Sequence, residues 1–398
     1  MYYERALSAR AQEAARHFPV VLLTGARQTG KTTLLRHTFG EHRYVPLDLP
    51  SEAAAAERSP DEFFRRHPPP LLVDEVQYAP GLFRHIKAEV DAHRHEPGRF
   101  ILTGSQKLTL MKEVSDSLAG RCAWLELEGL AAPELERGKV ETRERLVEVL
   151  VRGQYPELWR DQQLPRAEFY RGLLATYIER DVRQMLNVGS LRDFERFIRL
   201  CATQNGQLLN KTEIARGVGV TSKTIDQWLG VLHASSQIAL LEPYHANLGK
   251  RLVKSPKLYL CDTGLLCFLL GQDEHSLTDS ALLGSIWEAF VYAELRKGLA
   301  ARAPDHQLWF YRDQRGREVD FIVQGRGGFT CIECKWTELP SPGDARWLRD
   351  VASLLESTPP RPLRVDRVLA GRPHEAHVLA EGTRVVHGGD IAEQVRSS

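Results

Sequence analysis

The stretch Gly25-Ala-Arg-Gln-Thr-Gly-Lys-Thr32 constrains this chain more than any other. It fits G-x-x-x-x-G-K-[ST], the pattern of a backbone loop that wraps phosphate. An apolar run at 20–23 precedes it and a helix-compatible run at 32–39 follows, so the loop falls between a strand and a helix. Glycine lets the backbone curl close to an anion, and the first amides of the following helix point at it. The pattern assigns nucleotide contacts to Gly25, Gln28, Thr29, Gly30, Lys31, Thr32 and Thr33. Lys31 is expected on the β- and γ-phosphates and Thr32 on Mg²⁺, so ATP and Mg²⁺ are the expected cofactors.

Some forty residues on comes Leu71-Leu-Val-Asp-Glu75, an apolar strand ending in two acids. Asp74 fits a second Mg²⁺ contact, through water. Glu75 fits a general base that polarises the attacking water. A third strand, 99–103, ends in Gly104-Ser105-Gln106. Ser105 either positions the water and senses the γ-phosphate or caps a helix; both readings stay open.

At 398 residues the chain is too long for one ordinary core, and two or three domains are expected. Lys and Arg number 53 and Asp and Glu 52, a net charge of +1, so any attraction to nucleic acid must be local. The N-terminal residues lack the apolar run of a signal peptide, and no stretch approaches 18 uninterrupted apolar residues. A cytoplasmic location without a membrane span is therefore expected. Six scattered cysteines include one C-x-x-C at Cys331 and Cys334, inside a probable strand. Three-residue spacing puts their side chains on opposite faces, which argues against a metal site there and for reduced thiols.

Residues 1 to about 130 alternate apolar strands (20–23, 44–49, 71–73, 100–103, 123–127) with helical patterns, which predicts a parallel sheet wrapped by helices. Residues 131–205 read as helical and charged. From Thr212 a short helix, a turn at Gly217 and Gly219, and a second helix capped by Ser222 give a helix-turn-helix layout. Segments 240–244 and 257–261 then form a wing. Lys250, Arg251, Lys254 and Lys257 on that wing are the densest basic cluster and the expected phosphate contacts to DNA. The second helix, with Lys223, Asp226 and Gln227, has little with which to read bases. The competing reading is a module that only packs against its neighbours. Asp262-Thr-Gly264 resembles the aspartic protease triplet, but capping and packing of the apolar helix at 265–270 explain it.

From about 280 a helix carrying Glu288 leads to strands at 308–311, 318–323 and 329–335, the last two joined as a hairpin by Gly-rich 325–328. Asp320 lies on one hairpin strand and Glu333-Cys-Lys335 on the other. Period-2 geometry puts Glu333 and Lys335 on one face. Asp320 and Glu333, with Glu288 from the helix, are hard oxygen ligands for a second divalent cation, and Lys335 would activate water. This is a PD-(D/E)xK-type constellation. The alternative is a charged ladder on a solvent face.

Taken in order, 25–33, 72–77, 102–105, 118–121, 177–181, 259–265, 284–291, 318–323 and 332–335 resemble a bacterial and archaeal family of AAA-type ATPases with a C-terminal nuclease-like domain formerly of unknown function. The resemblance covers nearly the whole chain. The fold it implies is α/β: a P-loop AAA-type parallel sheet with helices, a winged helix, and a restriction-endonuclease-like α/β domain. The corresponding segments are 1–135, 136–205 (helical linker or lid), 206–260 and 261–398. The resemblance also suggests Arg121 as an arginine finger or sensor, and a homo-oligomer, with a ring among its expected forms. The expected function is ATP hydrolysis by a machine or switch acting on DNA. The alternatives are a regulatory ATPase whose C-terminal modules bind protein, with an inactive nuclease-like site, and an ATP-gated nuclease in defence.

Overall fold

The computed structural model describes residues 2–135, 142–177, 191–244, 254–357 and 364–395. It divides into two compact units: Met1–Leu130 with Ala234–Ser236, and Ala131–His233 with Gln237–Ser398. Apart from Ala234–Ser236, the three segments expected after residue 135 fall in the second unit.

In the first unit, β1 (Val20–Thr24), β2 (Arg43–Pro46), β3 (Leu71–Asp74), β4 (Phe100–Thr103) and β5 (Cys122–Glu126) form a sheet in the order β2-β3-β4-β1-β5. All pairings are parallel, with Leu23 beside Thr103 and Val73 beside Leu102. Parallel strands need crossovers, and helices supply them on both faces. That is why β1, β3 and β4 are buried at every position. On one face Val20, Leu22, Val73, Phe100 and Leu102 pack against Leu82, Phe83, Ile86 and Val90, the buried stripe of helix Leu82–Ala92. Removing a ring such as that of Phe100 would cost about 3–5 kcal/mol. The order places β4 between β1 and β3, so the ends of all three strands meet at one edge.

In the second unit, helix Lys211–Val218 is capped by Asn210, whose side chain accepts from Glu213 N at 3.1 Å, and it ends at Gly219 with φ 92°. Helix Ser222–Ala234 follows. Its cap is Thr221 rather than Ser222: Thr221 Oγ1 accepts from Thr224 N at 3.2 Å, and Ser222 opens the helix itself. Strands β6 (Ile238–Leu241) and β7 (Lys257–Leu260) pair antiparallel, and Leu208 bridges to Lys257.

A six-stranded sheet completes this unit, in the order β12-β13-β11-β10-β9-β8. Its strands are β8 (Gln307–Arg312), β9 (Glu318–Gly325), β10 (Gly328–Cys334), β11 (Arg364–Gly371), β12 (His377–Val378) and β13 (Arg384–His387). The expected hairpin is present as β9–β10, and β10 pairs parallel with β11. Gly328 has φ 149°, and a Cβ there would fall 2.0 Å from the Arg364 carbonyl oxygen. Helix Arg346–Glu356 packs Leu348, Val351 and Leu355 against Val319, Ile322 and Cys331. Helix Leu283–Arg302, which carries Glu288, is buried along much of its length. Cys331 and Cys334 are both buried free thiols. No helix among the described residues is long and apolar enough to cross a membrane.

Candidate functional site

The phosphate loop leaves β1 at its carboxyl end, the edge where ligands collect in open parallel sheets. Gly25 has φ 140°, and a Cβ there would lie 2.0 Å from the Leu127 carbonyl oxygen. Gly30 has φ 91° and leads into helix Lys31–Thr38. Gln28 also has positive φ, at 62°. Thr29 is buried and donates to the Ala26 carbonyl at 2.9 Å, whereas Thr33 is exposed. The Lys31 ammonium donates to the loop carbonyls of Gly25 at 3.0 Å and Ala26 at 2.8 Å.

Thr32 Oγ1 lies 2.9 Å from each carboxylate oxygen of Asp74. Two further hydroxyls converge on that carboxylate: Tyr44 at 3.0 Å, and Thr103. Glu75 follows with φ 54°, a left-handed conformation at a non-glycine residue, which costs energy unless its surroundings hold it. They do: its amide donates to Thr103 Oγ1 at 3.0 Å, and its Oε2 accepts from Ser105 Oγ at 3.0 Å and from Gln77. Ser105 N also donates to Oε2, at 3.3 Å. Ser105 therefore orients Glu75. The capping role weighed for it is not seen: the next helix, Lys107–Ser117, has Gln106 at its cap and no side-chain cap bond.

Arg121 does not join this group. It precedes β5, at the opposite edge of the sheet from the loop. Its guanidinium forks onto Asp91, with Nε 2.8 Å from Oδ1 and an Nη 3.2 Å from Oδ2.

Several contributors here had weak signals in the sequence. Arg5, only 8% exposed, braces the loop by donating to the Thr29 carbonyl at 2.9 Å and to those of Glu128 and Gly129. Thr103 and Tyr44 end or lie in strands beside β3, and only the strand order shows that they reach Asp74. Gln77, two residues beyond Glu75, carried a local signal.

The second unit gathers the other acids. Lys257 Nζ is 3.0 Å from Glu288 Oε1, 2.6 Å from Glu318 Oε1 and 3.6 Å from Asp320 Oδ1, and the lysine side chain is 2% exposed. This corrects the expectation that Lys257 contacts DNA: β7 turns it inward, and three carboxylates hold it there. Of the other expected contacts, Lys254 is exposed, and Lys250 and Arg251 lie outside the described residues. Tyr259 donates to the same Glu288 oxygen. Asp320 Oδ2 accepts from Cys334 N at 2.8 Å, which ties β9 to the end of β10. Lys335 pairs with Glu333 at 2.8 Å.

Burial pushes Glu288 up from the ordinary carboxylate range, and the charge of Asp320 adds to this. Glu333 is raised by burial, then by Asp320, with a smaller push from Glu288. Burial alone would lower Lys257, but Glu288, Asp320 and Glu318 outweigh it and hold the lysine above its usual range. Lys257 thus contacts Glu288 and Asp320, while Lys335 contacts Glu333. No group of three or more acid, histidine or cysteine side chains among the described residues is arranged to hold a metal ion.

Asp262 of the protease-like triplet is buried. It accepts from Leu265 N and Gln154 N, both at 2.7 Å, and from Tyr170 at 2.8 Å. It caps the helix Thr263–Leu269.

Residues 17–136 match a family described as AAA domain. Residues 143–276 match a domain of unknown function, DUF8612, and residues 283–387 another, DUF4143. The uncharacterized proteins Rv2008c of Mycobacterium tuberculosis and Mb2031c of Mycobacterium bovis are each 33% identical to this chain over 349 residues, covering 85% of it and 75% of their own length. Among solved structures, the Walker-type ATPase PABY2304 of Pyrococcus abyssi aligns at 17% identity and TM-score 0.46, over 68% of this chain and 96% of that one. The RuvB Holliday junction branch migration motor of Thermotoga maritima aligns at 17% identity and TM-score 0.29, over 58% and 86%.

Proposed function

Since the chain belongs to the family of these mycobacterial proteins and its residues 17–136 form an AAA-type P-loop ATPase domain, we propose that it hydrolyses ATP with Mg²⁺ and uses the cycle to control a hold on DNA. The observation that carries the ATPase reading is the joining of Thr32 to Asp74, beside a Glu75 fixed by Ser105 and Gln77.

The residues fit the nucleotide and its metal. Gly25 leaves no room for a side chain in the loop, and Lys31 holds its ammonium against loop carbonyls, which anionic phosphate oxygens would outcompete. Thr32 and Asp74 are hard oxygen donors of the kind Mg²⁺ takes. Bound Mg²⁺ neutralises charge on the phosphate oxygens. Lys31 and the first amides of its helix bind the phosphates. Thr103 and Tyr44 hold Asp74 in place. Glu75 orients the attacking water and accepts its proton, and Ser105 and Gln77 keep that carboxylate aimed. Arg121, at the far edge of its own sheet, would serve a neighbouring subunit's site in an ATP-dependent homo-oligomer.

Support for the DNA reading comes from the second unit. The helices Lys211–Val218 and Ser222–Ala234 followed by the β6–β7 pair have the order of a winged helix, with Lys250, Arg251 and Lys254 on the wing segment. Helix Leu283–Arg302, then β8, β9 and β10, helix Arg346–Glu356 and β11 give the order expected of a nuclease-like domain. The regulatory alternative, with no cleavage, is favoured by one observation: a lysine sits among the carboxylates.

The test is ATP turnover with and without single-stranded, duplex and branched DNA at two salt concentrations. Stimulation that falls with salt is expected. Turnover indifferent to every DNA form would turn the reading to a protein-binding ATPase.

A further inference from the structure

We propose that Lys257 is the resident cation between Glu288 and Asp320 and shuts divalent metal ions out of that pair. The ammonium is 3.0 Å from Glu288 Oε1 and 3.6 Å from Asp320 Oδ1, so it takes the space between the two acids that a shared metal would use. A metal such as Mn²⁺ or Mg²⁺ needs those same oxygens at about 2.1 Å. Ammonium and metal would then sit within a few ångströms, two like charges in a buried space.

The lysine is built in rather than draped over the site. It opens β7, pairs with Leu241 of β6, bridges to Leu208, and lies 5.7 Å from the centre of the Phe310 ring. Glu318, which also pairs with Arg312 at 3.2 Å, gives the ammonium a third anionic partner at 2.6 Å. Glu333 Oε2 is buried with no hydrogen-bond partner, while Lys335 engages only the other oxygen. Glu288 and Asp320 carry the hard oxygens that divalent cations take, but the chain's own cation occupies the space between them. The inference does not depend on ATP hydrolysis or on cleavage.

The experiment titrates Mn²⁺ into the nucleotide-free full chain, read by the loss of the free-ion magnetic resonance signal, in an Asp74→Asn background that silences the phosphate-loop site. The Lys257 wild type should show no added Mn²⁺ site. Lys257→Met should gain one Mn²⁺ per chain, with affinity up about a hundredfold, the change that lifting one positive charge about 3 Å from a divalent ion gives even in water. A further Asp320→Asn should abolish the gain. If Lys257→Met unfolds in chelator, Mn²⁺ should restore its melting temperature, since the metal replaces the missing charge. Mn²⁺ bound by the wild type in an Asp320-dependent way would overturn the proposal. So would a Lys257→Met chain that neither gains a Mn²⁺ site nor is refolded by Mn²⁺.

Discussion

Thr32 Oγ1 stands 2.9 Å from both carboxylate oxygens of Asp74, joining the phosphate loop to a strand end 42 residues away. On the proposed ATPase reading this pair would take the metal, with Lys31 binding phosphate and Glu75 acting as base. Lys31→Ala should therefore abolish nucleotide binding in a fluorescent-nucleotide titration. Glu75→Gln should keep binding and lower kcat by about 10²–10⁴-fold, the range for a positioned base. Parent-rate hydrolysis by Glu75→Gln would remove Glu75 from that role.

Arg121 is committed locally to Asp91 and distant from its own loop. A trans role predicts that Arg121→Ala lowers turnover about 10³-fold or more, as for a lost arginine finger. Mixing it with Glu75→Gln should recover activity, because one interface then carries an intact base and an intact finger. Asp91→Ala, which breaks the ion pair but keeps the guanidinium, should retain turnover. If Asp91→Ala instead matched Arg121→Ala, the arginine would be a structural brace.

With Lys257 buried, the proposed DNA contact rests on three cations, Lys250, Arg251 and Lys254. Neutralising Lys250, Arg251 and Lys254 together should weaken binding to unrelated sequences alike and reduce the salt slope by about one per cation. Filter-binding at several salt concentrations reads both. A slope equal to that of the parent would move the contact off the wing.

Asp262 accepts three hydrogen bonds in a fully buried position. Asp262→Ala strands two backbone amides, while the Tyr170 hydroxyl keeps the Arg152 carbonyl as acceptor, and should cost about 3 kcal/mol in urea unfolding. Asp262→Asn should cost less, since its carbonyl still accepts. Equal losses would mean that the acid's charge, not its hydrogen bonding, supports the fold.

His387 accepts from Gly389 N at 3.1 Å through Nδ1, so its ring must be neutral there. Burial pushes it below the usual histidine range, with Arg372 adding to this and Asp390 opposing. A folded-state value below the unfolded one means that its contribution is complete above the unfolded value of 6.5 and is lost as pH falls through the folded value. The stability difference between wild type and His387→Ala should thus shrink between pH 8 and pH 5.5. A difference that grows on acidification would reverse the assigned sign.

The sequence by itself determined the phosphate loop, the acid pair and the strand–helix alternation around them. It did so because these depend on local geometry: glycines where φ must be positive, a strand ended by acids, and apolar runs too short and too buried for anything but parallel strands. The β9–β10 hairpin was legible for the same reason, from its glycine turn. Charge placement was not. Lys257 and Lys254 look alike in the chain, three residues apart, yet one is a buried counter-ion and the other is exposed. Only the packing of β7 against the helix of Glu288 and the strand of Asp320 decided which. In the same way Thr103 and Tyr44 reach Asp74 only because β3 lies between β2 and β4. A side chain's electrostatic role is set by neighbours distant in sequence, and burial strengthens those neighbours' fields by excluding the water that would screen them.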